Sequence, residues 1–372
     1  MSNNTDKKPL IILTAGGTGG HVFPAESLAE ELSQRGYELA LVTDSRGKDN
    51  YHGKLGEIKN YSVLAGALVG KSKLFKIKSL FKTGLGTLQA IYIILKNKPT
   101  CVVGFGGYAS FPCCMAAILL GIDLVIHEQN SVMSRTNRFL GKYATFIGKS
   151  FEKTKYIPAR TKQILTGMPI RKNIATLYQR QYQPYNNNKQ FQLLIIGGSQ
   201  GAKVFSEIIP PAIKTLPKEQ QKQLRIYHQC RKEDADNVSN SYNDCLAEIT
   251  ISHFFENMVE LYNQASLIIS RAGASSIAEI TATRLPSVLI PLPTAADNHQ
   301  ATNAAAIETN QAGYVLAQKD LSVESLSTIL QSLINDSEKR INMSERAARL
   351  SIIDASKRLA DSIENEIIFA DK

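Results

Sequence analysis

Apolar residues along this chain gather in short runs rich in Val, Ile and Leu, separated by segments of helical periodicity. Runs that are apolar throughout predict strands covered on both faces, and their alternation with helices predicts parallel sheets. One series falls at 10–13, 39–43, 101–103, 124–126, 145–148 and 164–166. A second falls at 193–196, 225–228, 249–252, 267–269 and 288–290. Between them the stretch 178–190, YQRQYQPYNNNKQ, is polar and holds Pro184, so it reads as the edge of a linker. The expected fold class is α/β, with two Rossmann-like domains whose parallel sheets face a deep cleft. The expected domains are residues 1–171 and 172–344, with a helical segment from about 345 to 372 packing back on the first.

Two strands run into glycine-rich turns of one design: LIILTAGGTGG at 10–20 and LLIIGGSQGA at 193–202. Such turns let backbone N–H groups approach an anion, and a following helix N-terminus adds partial positive charge, worth about 0.3–1 kcal/mol per interaction. The dinucleotide fingerprint GxGxxG does not fit, because after Gly17-Thr18-Gly19 its last position is Val22. Asp44, at the end of the second strand, has the place of an acid that grips a ribose, so a tight structural turn and a dehydrogenase remain the alternatives. His21 follows the glycines directly. A neutral imidazole there can take a proton from a sugar hydroxyl, although a lone His is more often a packing or hydrogen-bonding residue.

Further polar clusters stand at the C-terminal ends of strands, where sites form in such folds. VVGFGGYASFP (102–112) is a third strand-to-glycine turn, and HEQN (127–130) suits a polyhydroxyl or peptide ligand as well as it suits a helix cap. RAGASSIAE (271–279) opens a helix with small residues, and Glu279 falls about two turns in. A carboxylate there can accept both hydroxyls of a ribose, or simply be a solvated helix face. IPLPTAADNHQATNA (290–304) brings Asp, Asn, His and Gln to a helix start. The DxD tripeptide, Asp234-Ala235-Asp236, lies in the charged run RKEDADN and reads as surface charge rather than a metal site. No metal and no cofactor are expected. A leaving diphosphate would be stabilised by helix N-termini and hydrogen-bond donors.

The net charge of +10 changes the picture through its distribution. No Asp or Glu occurs between Glu57 and Asp123, while Lys59, Lys71, Lys73, Lys76, Lys78, Lys82, Lys96 and Lys98 do. On a helix, Leu74, Ile77, Phe81, Leu85 and Leu88 share one stripe, which reads as the core face. Phe75 and Leu80 fall outside it, among lysines. Exposed apolar residues amid Lys71, Lys73, Lys76 and Lys82 suit an anionic bilayer surface, at about 1 kcal/mol per lysine. Aromatic residues are too few here for single-stranded nucleic acid. The five cysteines, an odd number without metal spacing, indicate a reducing compartment. The polar start MSNNTDKKPL is no signal peptide, and the longest apolar stretch, 111–126, is broken by Asp123 and falls short of a membrane span.

GGTGGHVFPA, GGYASFP, HEQN, GMPIR, GGSQGA, RAGASSIAE and DNHQATNA follow one another between about residues 10 and 320. Together they resemble the bacterial MurG family of glycosyltransferases, family 28. The resemblance implies the GT-B fold and transfer of N-acetylglucosamine (GlcNAc) from UDP-GlcNAc to the muramoyl 4-hydroxyl of lipid I, forming lipid II. It implies donor contacts at Thr18, Gly19, Gly20, Asn130, Arg171, Ser199, the Phe255 backbone, Ala274, Ser275, Ser276, Ile277, Ala278, Glu279 and Gln300. Glu279 would hold the ribose, with His299 and Gln300 near the donor sugar. The acceptor diphosphate would meet Gly16, Gly17, Gly106 and Gly107, with His21 the candidate base. Implied partners are lipid I, the anionic cytoplasmic face of the plasma membrane, and other cell-wall synthesis and division proteins; nucleic acid is not among them. Two positions depart from the family pattern. Met168 stands where the family has Asn before Arg171, and His228-Gln229-Cys230-Arg231 lacks the family's glycine. The alternative is another GT-B enzyme on a UDP-sugar, a glycolipid transferase or an epimerase.

Overall fold

The computed structural model of the chain describes residues 9–16, 19–44, 51, 53–66, 73–183, 190–198 and 201–370, and only the backbone of 73–76. Gly17, Thr18, Lys71 and Ser199 lie outside the described residues, as do the side chains of Lys73, Phe75 and Lys76. Two units are present: Met1–Arg171 with Ile352–Lys372, and Lys172–Ser351.

The first unit holds β1 (Leu10–Thr14), β2 (Glu38–Thr43), β3 (Lys59–Ser62), β4 (Cys101–Gly104), β5 (Asp123–Glu128), β6 (Phe146–Lys149) and β7 (Lys162–Leu165). Among the described residues they form one parallel sheet in the order β3-β2-β1-β4-β5-β6-β7. Alternation along β1 sorts its side chains to two cores. Ile11 and Leu13 meet Leu28 and Leu32 of the Gly19–Gln34 helix and Leu359 and Ile363 of the Ala355–Ile363 helix. Ile12 faces the opposite core with Cys113 and Ala117 of the Phe111–Leu120 helix and Ile94 of the Lys73–Asn97 helix. Each such side chain contributes about 1.5–3 kcal/mol by leaving water. The chain reverses direction across the sheet between β1 and β4, the switch point at which ligands of this architecture bind.

The Lys73–Asn97 helix corrects the expected core stripe. Ile77, Phe81 and Leu88 are 67%, 69% and 63% exposed, and Leu85 is also exposed. The buried face is instead Ser79, Thr83, Gly86, Thr87 and Ala90. The cause is close backbone approach: a Cβ on Gly86 would lie 1.7 Å from the Leu64 carbonyl oxygen. Thr83 Oγ1 donates to Ser79 O at 2.8 Å and Thr87 Oγ1 to Thr83 O at 2.9 Å, so the small polar side chains are satisfied within the helix.

The C-terminal segment enters the first unit at Ile352, rather than near residue 345. Its preceding helix, Ser337–Leu350, belongs to the second unit, where buried Arg340 donates to Ile334 O at 3.0 Å. Beyond Ile352, Arg35 ties the returning helix to the first unit through Asp361 at 2.7 Å and Glu364 at 2.5 Å. Tyr37 Oη also donates to Glu364, at 2.8 Å.

The second unit holds β8 (Phe191–Ile196), β9 (Leu224–Gln229), β10 (Glu248–Ser252), β11 (Leu267–Ser270), β12 (Ser287–Leu289) and β13 (Tyr314–Val315). They form a parallel sheet in the order β10-β9-β8-β11-β12-β13, with its switch point between β8 and β11. Its largest core packs Leu193 and Ile195 against Phe205, Ile209 and Ile213 of the Lys203–Lys214 helix, with Leu326, Leu330 and Leu333 of the Val323–Asn335 helix.

Candidate active-site residues

In the first unit, the glycine turns after β1 and β4 stand at the switch point. A Cβ on Gly16 would lie 2.4 Å from Ala109 Cβ, so the two turns approach too closely for any larger residue. Gly106 and Gly107 have φ of +85° and +77°, the left-handed region that glycine enters without steric cost. Gly19, Gly20 and His21 open the Gly19–Gln34 helix, and their N–H groups are among the four at its start without intrahelical partners. His21 Nδ1 lies 2.8 Å from the Phe105 carbonyl oxygen. A carbonyl only accepts, so in neutral His21 the proton sits on Nδ1 and the lone pair on Nε2. A Cβ on Gly107 would lie 3.6 Å from that Nε2, so the glycine leaves the basic nitrogen room.

β5 ends in the HEQN motif, with His127 and Glu128 inside the strand and Gln129 starting the turn. Gln129 Nε2 donates to Phe105 O at 2.7 Å, the same oxygen that His21 engages. Burial lowers the His127 pKa to about 4, so the ring is neutral, and its Nε2 lies 3.0 Å from Gly167 O. Glu128 is fully buried, and burial raises its pKa against the pull of its hydrogen bonds. Its carboxylate accepts from Asn130 N and Ser134 N, both at 3.0 Å, and from Asn137 Nδ2 at 2.8 Å. Asn130 is thus held by its own backbone. The Arg171 guanidinium lies over the Phe23 ring, 5.2 Å from its centroid, which orients it by cation–π attraction.

In the second unit, the β8 turn has Gly198 at φ +91° and Gly201 at +67°. A Cβ on Gly201 would meet Arg231 at 2.8 Å, so the HQCR run packs against this turn. Arg231 in turn binds Asp234 through Nε at 2.7 Å and Nη2 at 2.9 Å. That pairing engages the first carboxylate of the DxD tripeptide. Among the described residues, no group of three or more His, Cys, Asp or Glu is placed to hold a metal.

β11 ends at Ser270 and leads through buried Arg271 into the Ala274–Ala282 helix. Arg271 Nη1 donates to Ile290 O at 3.1 Å, which locks the β11 and β12 turns together. Ser275 and Ser276 lie in the first helical turn with Ala274 and Ile277, and Ala278 and Glu279 follow. Ser275 Oγ is shielded and has no partner among the described residues. Glu279 is 8% exposed, and its Oε2 accepts from Tyr262 Oη at 2.9 Å.

Gln300, at the start of the His299–Thr309 helix, has its amide oxygen between two backbone donors, Ala272 N at 3.2 Å and Leu292 N at 2.9 Å. With the oxygen so engaged, the amide NH₂ is the end available to a ligand, and it offers donors only. His299 Nδ1 lies 2.8 Å from Ala296 O. Phe255 stacks edge-on against Tyr227, with ring centroids 6.0 Å apart.

Residues 11–148 match the glycosyltransferase family 28 N-terminal domain, and residues 192–359 match the family 28 C-terminal domain. A relative in Paramagnetospirillum magneticum is 41% identical over 96% of both chains. It is named UDP-N-acetylglucosamine–N-acetylmuramyl-(pentapeptide) pyrophosphoryl-undecaprenol N-acetylglucosamine transferase. A relative of the same name in Rhodospirillum rubrum is 38% identical, over 95% of this chain and 91% of its own. The crystal structure of Acinetobacter baumannii MurG superposes with a TM-score of 0.75 at 30% identity, covering 95% of this chain and 98% of that one.

The chain belongs to the MurG family. The family's GT-B architecture is the pair of parallel-sheet units described above. The two departures from the MurG pattern have local consequences. Ser150 Oγ donates to Met168 Sδ at 3.6 Å, a weak sulfur acceptor. Arg231, in place of the MurG glycine, pairs with Asp234 through Nε at 2.7 Å. Sequence reasoning did not single out Asn137, Tyr262 or Asn303, all buried polar residues that serve these motifs from neighbouring helices. Asn303 Nδ2, for one, donates to Ala272 O at 3.3 Å. Hydrophobic periodicity carries no signal for such residues; each sits where an apolar side chain would equally fit the helix pattern.

Proposed function

We propose that this protein is an inverting glycosyltransferase that moves GlcNAc from UDP-GlcNAc to the MurNAc 4-hydroxyl of lipid I, forming lipid II for peptidoglycan. The observation that carries this reading is the 41% identity, over 96% of the chain, to a transferase named for that chemistry. The residue chemistry supports it. His21 Nε2 carries the lone pair needed to take the proton of the attacking hydroxyl. As that oxygen bonds to the anomeric carbon, the bond to UDP breaks on the opposite face and the diphosphate leaves as an anion. N–H groups at the start of the Ala274–Ala282 helix suit that diphosphate. Glu279 accepts from the ribose hydroxyls, and the Gln300 amide donates to the GlcNAc hydroxyls. By resemblance, Thr18, Gly19, Gly20, Asn130, Arg171 and Ser199 would contact the donor. Gly16, Gly17, Gly106 and Gly107 serve the acceptor diphosphate. Incubation with UDP-GlcNAc and a lipid I analogue tests the reading. Lipid II analogue is the expected product. Release of N-acetylmannosamine without transfer would instead identify an epimerase.

The acceptor's lipid carrier places the reaction at a membrane surface. No helix among the described residues is long and apolar enough to cross a membrane. The exposed face of the Lys73–Asn97 helix suits surface attachment instead. Ile77, Leu80, Phe81, Leu88 and Tyr92 are exposed there among Lys78, Lys82 and Lys96. Apolar side chains enter the acyl boundary while lysines meet anionic headgroups. Changing Leu80 and Phe81 together to Ser should weaken binding to anionic phospholipid vesicles at least about tenfold, from the apolar area withdrawn. Unchanged co-sedimentation would remove this face from the account.

A further inference from the structure

Gln129 is buried, yet only one end of its amide is used. Its Nε2 lies among three acceptors: Phe105 O at 2.7 Å, His127 O at 3.2 Å and His127 Nδ1 at 3.3 Å. His127 Nε2 meets Gly167 O at 3.0 Å, and a carbonyl only accepts. In the neutral His127 ring Nε2 therefore carries the proton, and Nδ1 is an acceptor. Turned over, the Gln129 amide would set its oxygen against those acceptors, so the nitrogen must point there. The amide oxygen is shielded and has no hydrogen-bond partner among the described residues. A buried acceptor left unmatched is costly, and its retention calls for a compensating role at the donor end.

The shortest of these bonds goes to the peptide between Phe105 and Gly106. Gly106 sits at φ +85°, and glycine takes the opposite sign as readily, so this peptide plane can turn over at little steric cost. Turned over, its carbonyl would leave His21 Nδ1, which it meets at 2.8 Å. Gln129 supplies a second bond to that oxygen, from the turn after β5. We infer that Gln129 is a positioning residue for the base: by holding the Phe105 carbonyl toward His21 Nδ1, its amide keeps the ring in one tautomer, with the lone pair on Nε2. The inference rests on the reading of His21 as the base. In this role Gln129 acts through one backbone oxygen.

The test measures kcat and KM with UDP-GlcNAc and a lipid I analogue for the parent, Gln129→Met, His21→Ala and the double variant. Met is close to Gln in volume and donates nothing. Gln129→Met should lower kcat about 10- to 100-fold, the effect of a misplaced catalytic group, and leave KM for UDP-GlcNAc within about twofold. In the His21→Ala background the same change should alter kcat by less than about twofold, because the ring it positions is gone. Gln129→Asn, whose amide falls short of the carbonyl, should behave alike and serves if the Met protein does not fold. A loss that persists in full without His21 would mark a merely structural role and overturn the inference, as would parental kcat in folded Gln129→Met. Parental kcat in His21→Ala would instead end the base reading, and the positioning role with it. Nitrogen-15 NMR of the full chain at about pH 8, where imidazole is neutral, gives a readout that needs no substrate. His21, identified by the signals lost in His21→Ala, should show a protonated Nδ1 and an unprotonated Nε2 in the parent, and averaged nitrogens in Gln129→Met. Averaging in the parent, or none in folded Gln129→Met, would overturn the inference.

Discussion

Replacing His21 with alanine should lower kcat by about 10²- to 10⁴-fold, the usual contribution of a positioned general base. The affinity for UDP should change little, since the carboxylate and amide assigned to the donor stand in the second unit. The size of the effect follows from the tautomer. In the neutral ring Nδ1–H donates to the Phe105 carbonyl at 2.8 Å, which leaves Nε2 as the basic nitrogen. The same carbonyl is held by Gln129 at 2.7 Å, so the histidine's anchor is itself anchored. A sugar hydroxyl is a poor nucleophile until its proton is accepted. His127 is buried, and that burial lowers its pKa to about 4 and spends its Nε2 on Gly167 O. Single-turnover measurements at saturating substrates check the prediction. Near-parental turnover in His21→Ala would end the base assignment.

The second large effect concerns donor binding. Glu279→Ala should weaken UDP-GlcNAc by roughly 2–3 kcal/mol, or about 30- to 150-fold, because two hydrogen bonds to a charged acceptor are lost together. The substitution also leaves the buried Tyr262 hydroxyl without its carboxylate partner, which adds a stability cost of about 1–3 kcal/mol. The two effects separate experimentally: donor affinity comes from titration at low temperature, and the stability cost from thermal unfolding without ligand. An unchanged donor affinity in a folded Glu279→Ala protein would contradict the assignment of the ribose to this residue.

The fold was legible where a strand is covered on both faces. β1, β4, β8 and β11 read as unbroken apolar runs because helices lie above and below them. Their glycine turns were legible for the same reason, since only glycine permits the approach of Gly16 to Ala109 or the positive φ of Gly107. β3 and β13 escaped notice. Each is an edge strand with a single neighbour, and KNYS and YV carry no apolar run. The Lys73–Asn97 helix was misassigned by face because periodicity takes the apolar stripe to be the buried one. There the requirement was contact between backbones at Gly86 and Leu64, which selects Ser, Thr, Gly and Ala. The apolar stripe was left outward, where a bilayer can cover it.

The candidate site was legible in its termini and illegible in its supports. Glu279 and Gln300 announce themselves as polar residues in the first two turns of helices that follow strands. Tyr262 and Asn137 act on Glu279 and Glu128 from other elements, and only the folded chain shows those distances. Hydrogen bonds between residues 9 and 17 positions apart leave no such pattern in a sequence.

Inverting transfer is the central claim, and the anomeric configuration of the product tests it most directly. The reaction of UDP-GlcNAc with a lipid I analogue, followed by proton NMR of the disaccharide formed, should show a β-linked GlcNAc from the α-linked donor. An α-linked product would require a second displacement, and with it the single-displacement role given to His21 would fall.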